Sequence, residues 1–109
     1  MVYTNSPLVS YIKLSPNYGS RVRSYNPEGK IRKITIHHMA GNLTVEVCGN
    51  VFASGSRQAS SQYGVGTDGR VGMYAEEKHR AWTSSNGNND SEAVTIEVAN
   101  DGGASTNWH

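Results

Sequence analysis

Within residues 93–99, AVTIEVA, apolar and polar side chains alternate from Val94 to Val98. Successive side chains of a strand point to opposite faces. Val94, Ile96 and Val98 therefore share one face, and Thr95 and Glu97 share the other. Residues 31–37 follow the same rule, with Ile34 and Ile36 on one face and Thr35 and His37 on the other. Two such strands call for a sheet, and a sheet needs another layer to cover a face. The 109 residues amount to one domain. Only 36% of them are hydrophobic and 12 are glycine, which suits a loop-rich α/β or α+β domain with a modest core.

The segment LTVEVCGNVF supplies the expected covering helix. Thr44 is its candidate N-cap. Val47 with Val51, and Cys48 with Phe52, form i,i+4 pairs along one apolar stripe, and Gly55 is the expected stop. Gly49 inside the helix costs about 1 kcal/mol against alanine, so its presence points to close packing. Cys48 on the stripe reads as a small core residue. QYGVGTDGRVGMY reads as a hairpin turning at Asp68-Gly69. SSNGNNDS, residues 84–91, reads as a polar loop. Residues 1–30 read as an irregular, basic N-terminal arm, punctuated by Pro7, Pro16, Pro27, Gly19 and Gly29. Tyr3, Tyr11, Tyr18 and Tyr25 suggest that this arm lies on the domain.

Net charge is +1, yet residues 1–33 hold Lys13, Arg21, Arg23, Lys30, Arg32 and Lys33 against Glu28 alone. A basic arm can meet an anionic polymer, or can simply be solvated. It lacks the density of Lys and Arg on one element that nucleic-acid binders show, so no nucleic acid is expected. No stretch is long and apolar enough to span a membrane. The single cysteine excludes an intrachain disulfide and fits synthesis in a reducing compartment. MVYTNSPLVS lacks the charged and apolar regions of a secretory signal, so cytoplasmic synthesis is expected.

Glu97 is the unusual residue. A carboxylate between Ile96 and Val98 in a strand loses solvation unless it is protonated, paired or near a metal. The alternative is a wet sheet face, as on one side of an antiparallel sheet. His37 at the end of the first strand is either a metal ligand or a hydrogen-bonded strand-end histidine. His38 points to the opposite face from His37, so the two cannot easily chelate one ion.

Four colinear stretches carry a resemblance: ITIHHMAG at 34–41, SSQYGVGTDGRVG at 60–72, EEKHRAW at 76–82 and NDSEAVTIEVAND at 89–101. Together they resemble the zinc-dependent N-acetylmuramoyl-L-alanine amidases of the endolysin and peptidoglycan-recognition type, closest to those of phages and prophages of Gram-positive bacteria. The resemblance implies an α/β fold with a central mixed β-sheet flanked by helices, of which residues 31–109 would be the N-terminal portion. It implies His37 as a zinc ligand and Glu97 as the general base. It implies peptidoglycan as partner, with cleavage between N-acetylmuramic acid and L-alanine by zinc-activated water, at the cell wall after release. It places Ser61 and Gln62 along the substrate groove. Trp82 either stacks on a sugar face or serves as a core aromatic.

The family's later segment, a histidine followed by Lys-x-Cys/Asp-Pro-Gly, has no counterpart here. None of His38, His79 and His109 matches a ligand position, and His79 reads as a surface residue. The expectation is thus a C-terminally incomplete domain that holds zinc weakly or not at all. Its uncovered apolar sheet surface would favour self-association. The alternative function is a non-catalytic peptidoglycan-binding module.

Overall fold

The computed structural model describes residues 4–39, 41–55, 59–83 and 87–100. Along the chain come β1 (Tyr11–Ile12), β2 (Tyr18–Ser20), β3 (Lys33–His38), α1 (Val45–Phe52), β4 (Tyr63–Val65), β5 (Val71–Met73), β6 (His79–Ala81), α2 (Gly87–Glu92) and β7 (Ala93–Val98). Five strands form a mixed sheet in the order β1-β5-β4-β7-β3, and β2 pairs with β6 in a small second sheet. The two strands read from alternation are neighbours: β3 runs parallel to β7 with Ile36 opposite Ile96 and His37 opposite Glu97. On its other side β7 runs parallel to β4, placing Gly64 opposite Glu97.

The hairpin forms as the sequence indicates. β4 and β5 are antiparallel, with Gly64 opposite Gly72. Gly69 takes φ 84°, a left-handed conformation that favours glycine. Asp68 Oδ1 accepts from the Arg70 amide at 3.1 Å and closes the turn.

Helix α1 lies on the face that carries the polar rows. Thr44 caps it by accepting from the Val47 amide at 3.2 Å. Its buried stripe is Val45, Cys48, Gly49 and Phe52, whereas Val47 is exposed. The expected Cys48–Phe52 pair is thus buried and Val51 packs against the core cluster, while of the expected Val47–Val51 pair only Val47 turns outward. The helix ends at Phe52, capped by Ala53 with its amide on Gly49 O, ahead of the expected stop at Gly55. Gly49 packs as tightly as its presence suggested: a Cβ there would lie 3.2 Å from the Tyr74 ring and 3.3 Å from Tyr11. Met39, Cys48, Phe52, Tyr74 and Ala99 make the core cluster.

The opposite face, bearing the isoleucines, is covered unevenly. Over β4 and β5 the arm reaches in, the Ser6 amide donating to the Tyr63 hydroxyl at 2.8 Å, and Tyr63 and Met73 are buried. Ser6, Leu8, Tyr63, Val65, Val71, Val94 and Ile96 border an apolar groove of about 260 Å³. Towards β3 the cover stops, leaving Ile34 67% and Ile36 57% exposed among the described residues.

Two local expectations change. The arm is not wholly irregular: β1 pairs in parallel with β5 and β2 pairs antiparallel with β6. Such short strands take their hydrogen bonds from partners some sixty residues away, so no local period announces them. Arg21, read as part of a basic arm, is buried, donating to Glu77 O at 2.5 Å and Ser91 O at 2.9 Å. Part of the expected polar loop is α2. Tertiary bonds hold it: Asp90 Oδ2 accepts from the Thr83 amide, and Ser91 Oγ donates to Arg21 O. No helix among the described residues is long and apolar enough to cross a membrane.

Candidate active site

One row of residues crosses the sheet in register: His37, Glu97, Gly64, Gly72 and Tyr11, on β3, β7, β4, β5 and β1. All lie on the face under α1, because strand alternation puts the isoleucine row on the other side. The strand-end histidine and the strand-borne carboxylate thus become direct cross-strand neighbours.

Their side chains do not form a hydrogen bond. His37 Nδ1 lies 3.9 Å from Glu97 Oε1, beyond hydrogen-bond reach. His37 keeps 36% of its side chain exposed and Glu97 only 15%. Burial alone pushes the Glu97 carboxyl up from the usual carboxylate range to about 7. The wet-face alternative for Glu97 is therefore set aside by its surroundings.

The glycines of the row make room for an aromatic wall. A Cβ on Gly64 would lie 2.7 Å from Tyr74 Cε2, and one on Gly72 would lie 2.7 Å from the Tyr74 hydroxyl oxygen. Tyr74 therefore rests on bare backbone beside Glu97, and its hydroxyl donates to Val45 O at 2.8 Å. Burial raises the Tyr74 hydroxyl well above its usual range. Burial pushes the nearby Cys48 thiol up to about 12, with a further push from Glu97. A thiol held neutral this way is no nucleophile at neutral pH. The spacing of the two glycines in YGVGTDGRVGM was the available signal for this wall, but sequence alone does not say what rests on them.

The remaining candidates lie elsewhere. Ser61 and Gln62 are fully buried. Ser61 Oγ donates to Tyr63 O at 2.9 Å. Gln62 Nε2 donates to His79 O at 2.8 Å, and its Oε1 accepts from the Thr95 amide and hydroxyl at 2.9 and 2.8 Å. Gln62 thus ties β6 to β7 instead of lining a surface beside His37. Trp82 is half-buried, joined to Ser60 by both backbones and by Ser60 Oγ. His38 lies on the isoleucine face, with Nδ1 3.1 Å from Asn100 Nδ2. His79, read as a surface residue, sits half-buried in β6 with its ring stacked on Tyr18 at 4.3 Å. His109 lies outside the described residues.

Among the described residues no three of His, Cys, Asp and Glu come together as a metal-binding set. His37 and Glu97 offer two donors at most, and the other described imidazoles are committed elsewhere. A catalytic zinc takes three protein ligands and keeps a fourth position open, so the described residues do not by themselves fit that ion. What they do provide is a half-open imidazole beside a desolvated carboxylate that titrates near neutrality.

Comparison with known proteins places this geometry in a context. Residues 27–109 match the sequence model of a family described as N-acetylmuramoyl-L-alanine amidase. No curated protein matches the chain. Among solved structures, the crystal structure of a selenomethionine derivative of AmpD superimposes with a TM-score of 0.59 at 16% identity. That alignment covers 89% of this chain and 65% of the AmpD chain, so the present chain spans less than two thirds of that protein. At this identity the likeness speaks for the fold.

Proposed function

The chain belongs to the N-acetylmuramoyl-L-alanine amidase family, and from that we propose that it carries part of a peptidoglycan hydrolase site, with Glu97 as its general base. The bond attacked is the amide between N-acetylmuramic acid and L-alanine. The observation that carries the reading is the burial of Glu97 beside His37. A base that titrates near 7 is matched to the pH at which it must both accept and return a proton.

In this reading the substrate amide approaches the face shared by His37 and Glu97. Glu97 takes a proton from the attacking water and hands it to the departing L-alanine nitrogen. The Tyr74 wall on Gly64 and Gly72 keeps that side of the carboxylate dry, which sustains its basicity. The half-open His37 is the group that reaches solvent and substrate.

The family is generally zinc-dependent. We assign His37 as this chain's contribution to such a site, whose ion would polarise the carbonyl and acidify water. The remaining donors are to be sought outside the described residues. The same gap in the ligand set favours a second reading, a module that binds peptidoglycan without cutting it. The partner in both readings is the bacterial cell wall, with phage-encoded lysis as the proposed setting. The exposed Ile34 and Ile36 make self-association through the sheet face a further proposal.

Cell-wall sacculi separate the two readings. Extended to carry the family's remaining ligands, the hydrolase releases new amine ends from them in the presence of zinc, and the binding module pellets with them and releases none. Failure to pellet and failure to release amine together would remove both.

A further inference from the structure

The structure also bears on how the site keeps its geometry, taking His37 and Glu97 as its working pair. Among the described residues, strand β3 is the last strand of the sheet and has a neighbour only on the β7 side. His37 stands one residue from its end. Strand ends held from one side fray most readily. A fray here would carry His37 away from Glu97, and the 3.9 Å gap leaves little margin. Sub-ångström placement of reacting groups decides rates by orders of magnitude.

Three bonds continue the pairing past the last strand pair, His38 with Val98. The Met39 amide donates to Val98 O at 2.7 Å, and the Asn100 amide donates to Gly41 O at 3.1 Å. Between them, the Asn100 side-chain amide meets His38 Nδ1 at 3.1 Å. Asn100 is buried, and the preceding Ala99 amide donates to Val65 O at 2.9 Å. The exit of β7 is thus gripped from β4 on one side and grips β3 on the other.

We infer that His38 and Asn100 are positioning residues, a clamp on the isoleucine face that holds the end of β3 so that His37 on the opposite face stays set against Glu97. The adjacent histidines then divide the work by strand alternation. One imidazole serves the site and the other bolts the strand that carries it. With Asn100 Nδ2–H donating, the bond calls for His38 Nδ1 as its acceptor. A side chain lacking an acceptor at that place cannot substitute.

The test uses the full 109-residue chain and reads the His37 ring nitrogens by NMR together with amide hydrogen exchange. Asn100→Ala and His38→Ala are expected to shift the His37 ring signals in the same direction. They should also speed exchange of the Met39 amide, which donates to Val98 O, roughly tenfold. The double variant should add nothing to the larger single effect. His38→Asn, which restores an acceptor, should recover the parent spectrum, and it keeps the test decisive if an alanine variant does not fold. Arg32→Ala releases a contact to Glu92 at the other end of β3 (3.6 Å) and should leave the His37 signals in place. Unchanged His37 signals in Asn100→Ala, or a His38→Asn spectrum like that of His38→Ala, overturn the clamp. Neither readout involves zinc or peptidoglycan, so the clamp can fail while the amidase reading stands, and the reverse.

Discussion

Glu97 lies directly across the β3–β7 pair from His37, with its carboxyl buried and the imidazole half in solvent. A carboxylate in water is a weak base at neutral pH. Desolvation shifts this one to about 7, and the shift has consequences for both activity and stability.

Activity should follow the ionised fraction of Glu97. With Glu97 as the base, hydrolysis by a chain extended to carry the family's remaining ligands should fall on the acid side as Glu97 takes up its proton. Glu97→Gln should lower the rate by roughly 10²–10⁴-fold while leaving the fold intact. Amine release from cell walls across pH 5–9 checks both, and a Glu97→Gln rate within a few-fold of the parent would remove Glu97 from the mechanism.

Stability should run the other way with pH. The folded carboxyl binds its proton up to about 7, whereas an unfolded glutamate releases it near 4.5. Between those values the folded state holds more protons, so stability falls as pH rises. The penalty is absent below about 4.5 and complete above about 7. It amounts to on the order of 3 kcal/mol, from about 1.4 kcal/mol per pH unit. Glu97→Gln should therefore be more stable than the parent at pH 8 and equal to it at pH 4. Urea unfolding at the two pH values measures this, and identical differences at both would contradict the burial of the charge.

Zinc should be retained poorly by the 109-residue chain. The described residues supply His37 and no three-donor set, and a metal lacking its chelate exchanges readily with water. Metal analysis after dialysis should find far less than one zinc per chain. Stoichiometric retention against a mild chelator would show that residues outside the described ones, or a second chain, complete the set.

Gly64→Ala should be destabilising beyond its small volume. The new methyl meets Tyr74 Cε2 at 2.7 Å, and Tyr74 cannot yield without losing its bond to Val45 O. A cost of roughly 1–3 kcal/mol is expected for such overpacking. Gly69→Ala, where a Cβ meets nothing but φ is 84°, separates backbone strain from crowding. Thermal unfolding of the pair with Tyr74→Leu as a third variant checks the cause: Gly64→Ala should cost less in the Tyr74→Leu background.

Alternation in KITIHH and AVTIEV gave both long strands and sorted His37 and Glu97 onto the face away from the isoleucines, because a two-residue period is a local property. The Thr44 cap, the Asp68-Gly69 turn and the crowding at Gly49 were legible for the same reason. The sequence did not say that these strands would be parallel neighbours in register, nor that α1 would cover the polar rows and leave Ile34 and Ile36 open. It did not reveal β1, β2 or α2, whose bonds go to partners far along the chain. It placed Ser61 and Gln62 along a groove, whereas the fold spends them on internal hydrogen bonds. Tertiary structure alone decided what Glu97 became. A glutamate in a strand can be wet or dry, and here the packing of α1 and Tyr74 against Gly64 and Gly72 removed its water. Side-chain chemistry is written one residue at a time, but solvation is set by every element that closes over the residue.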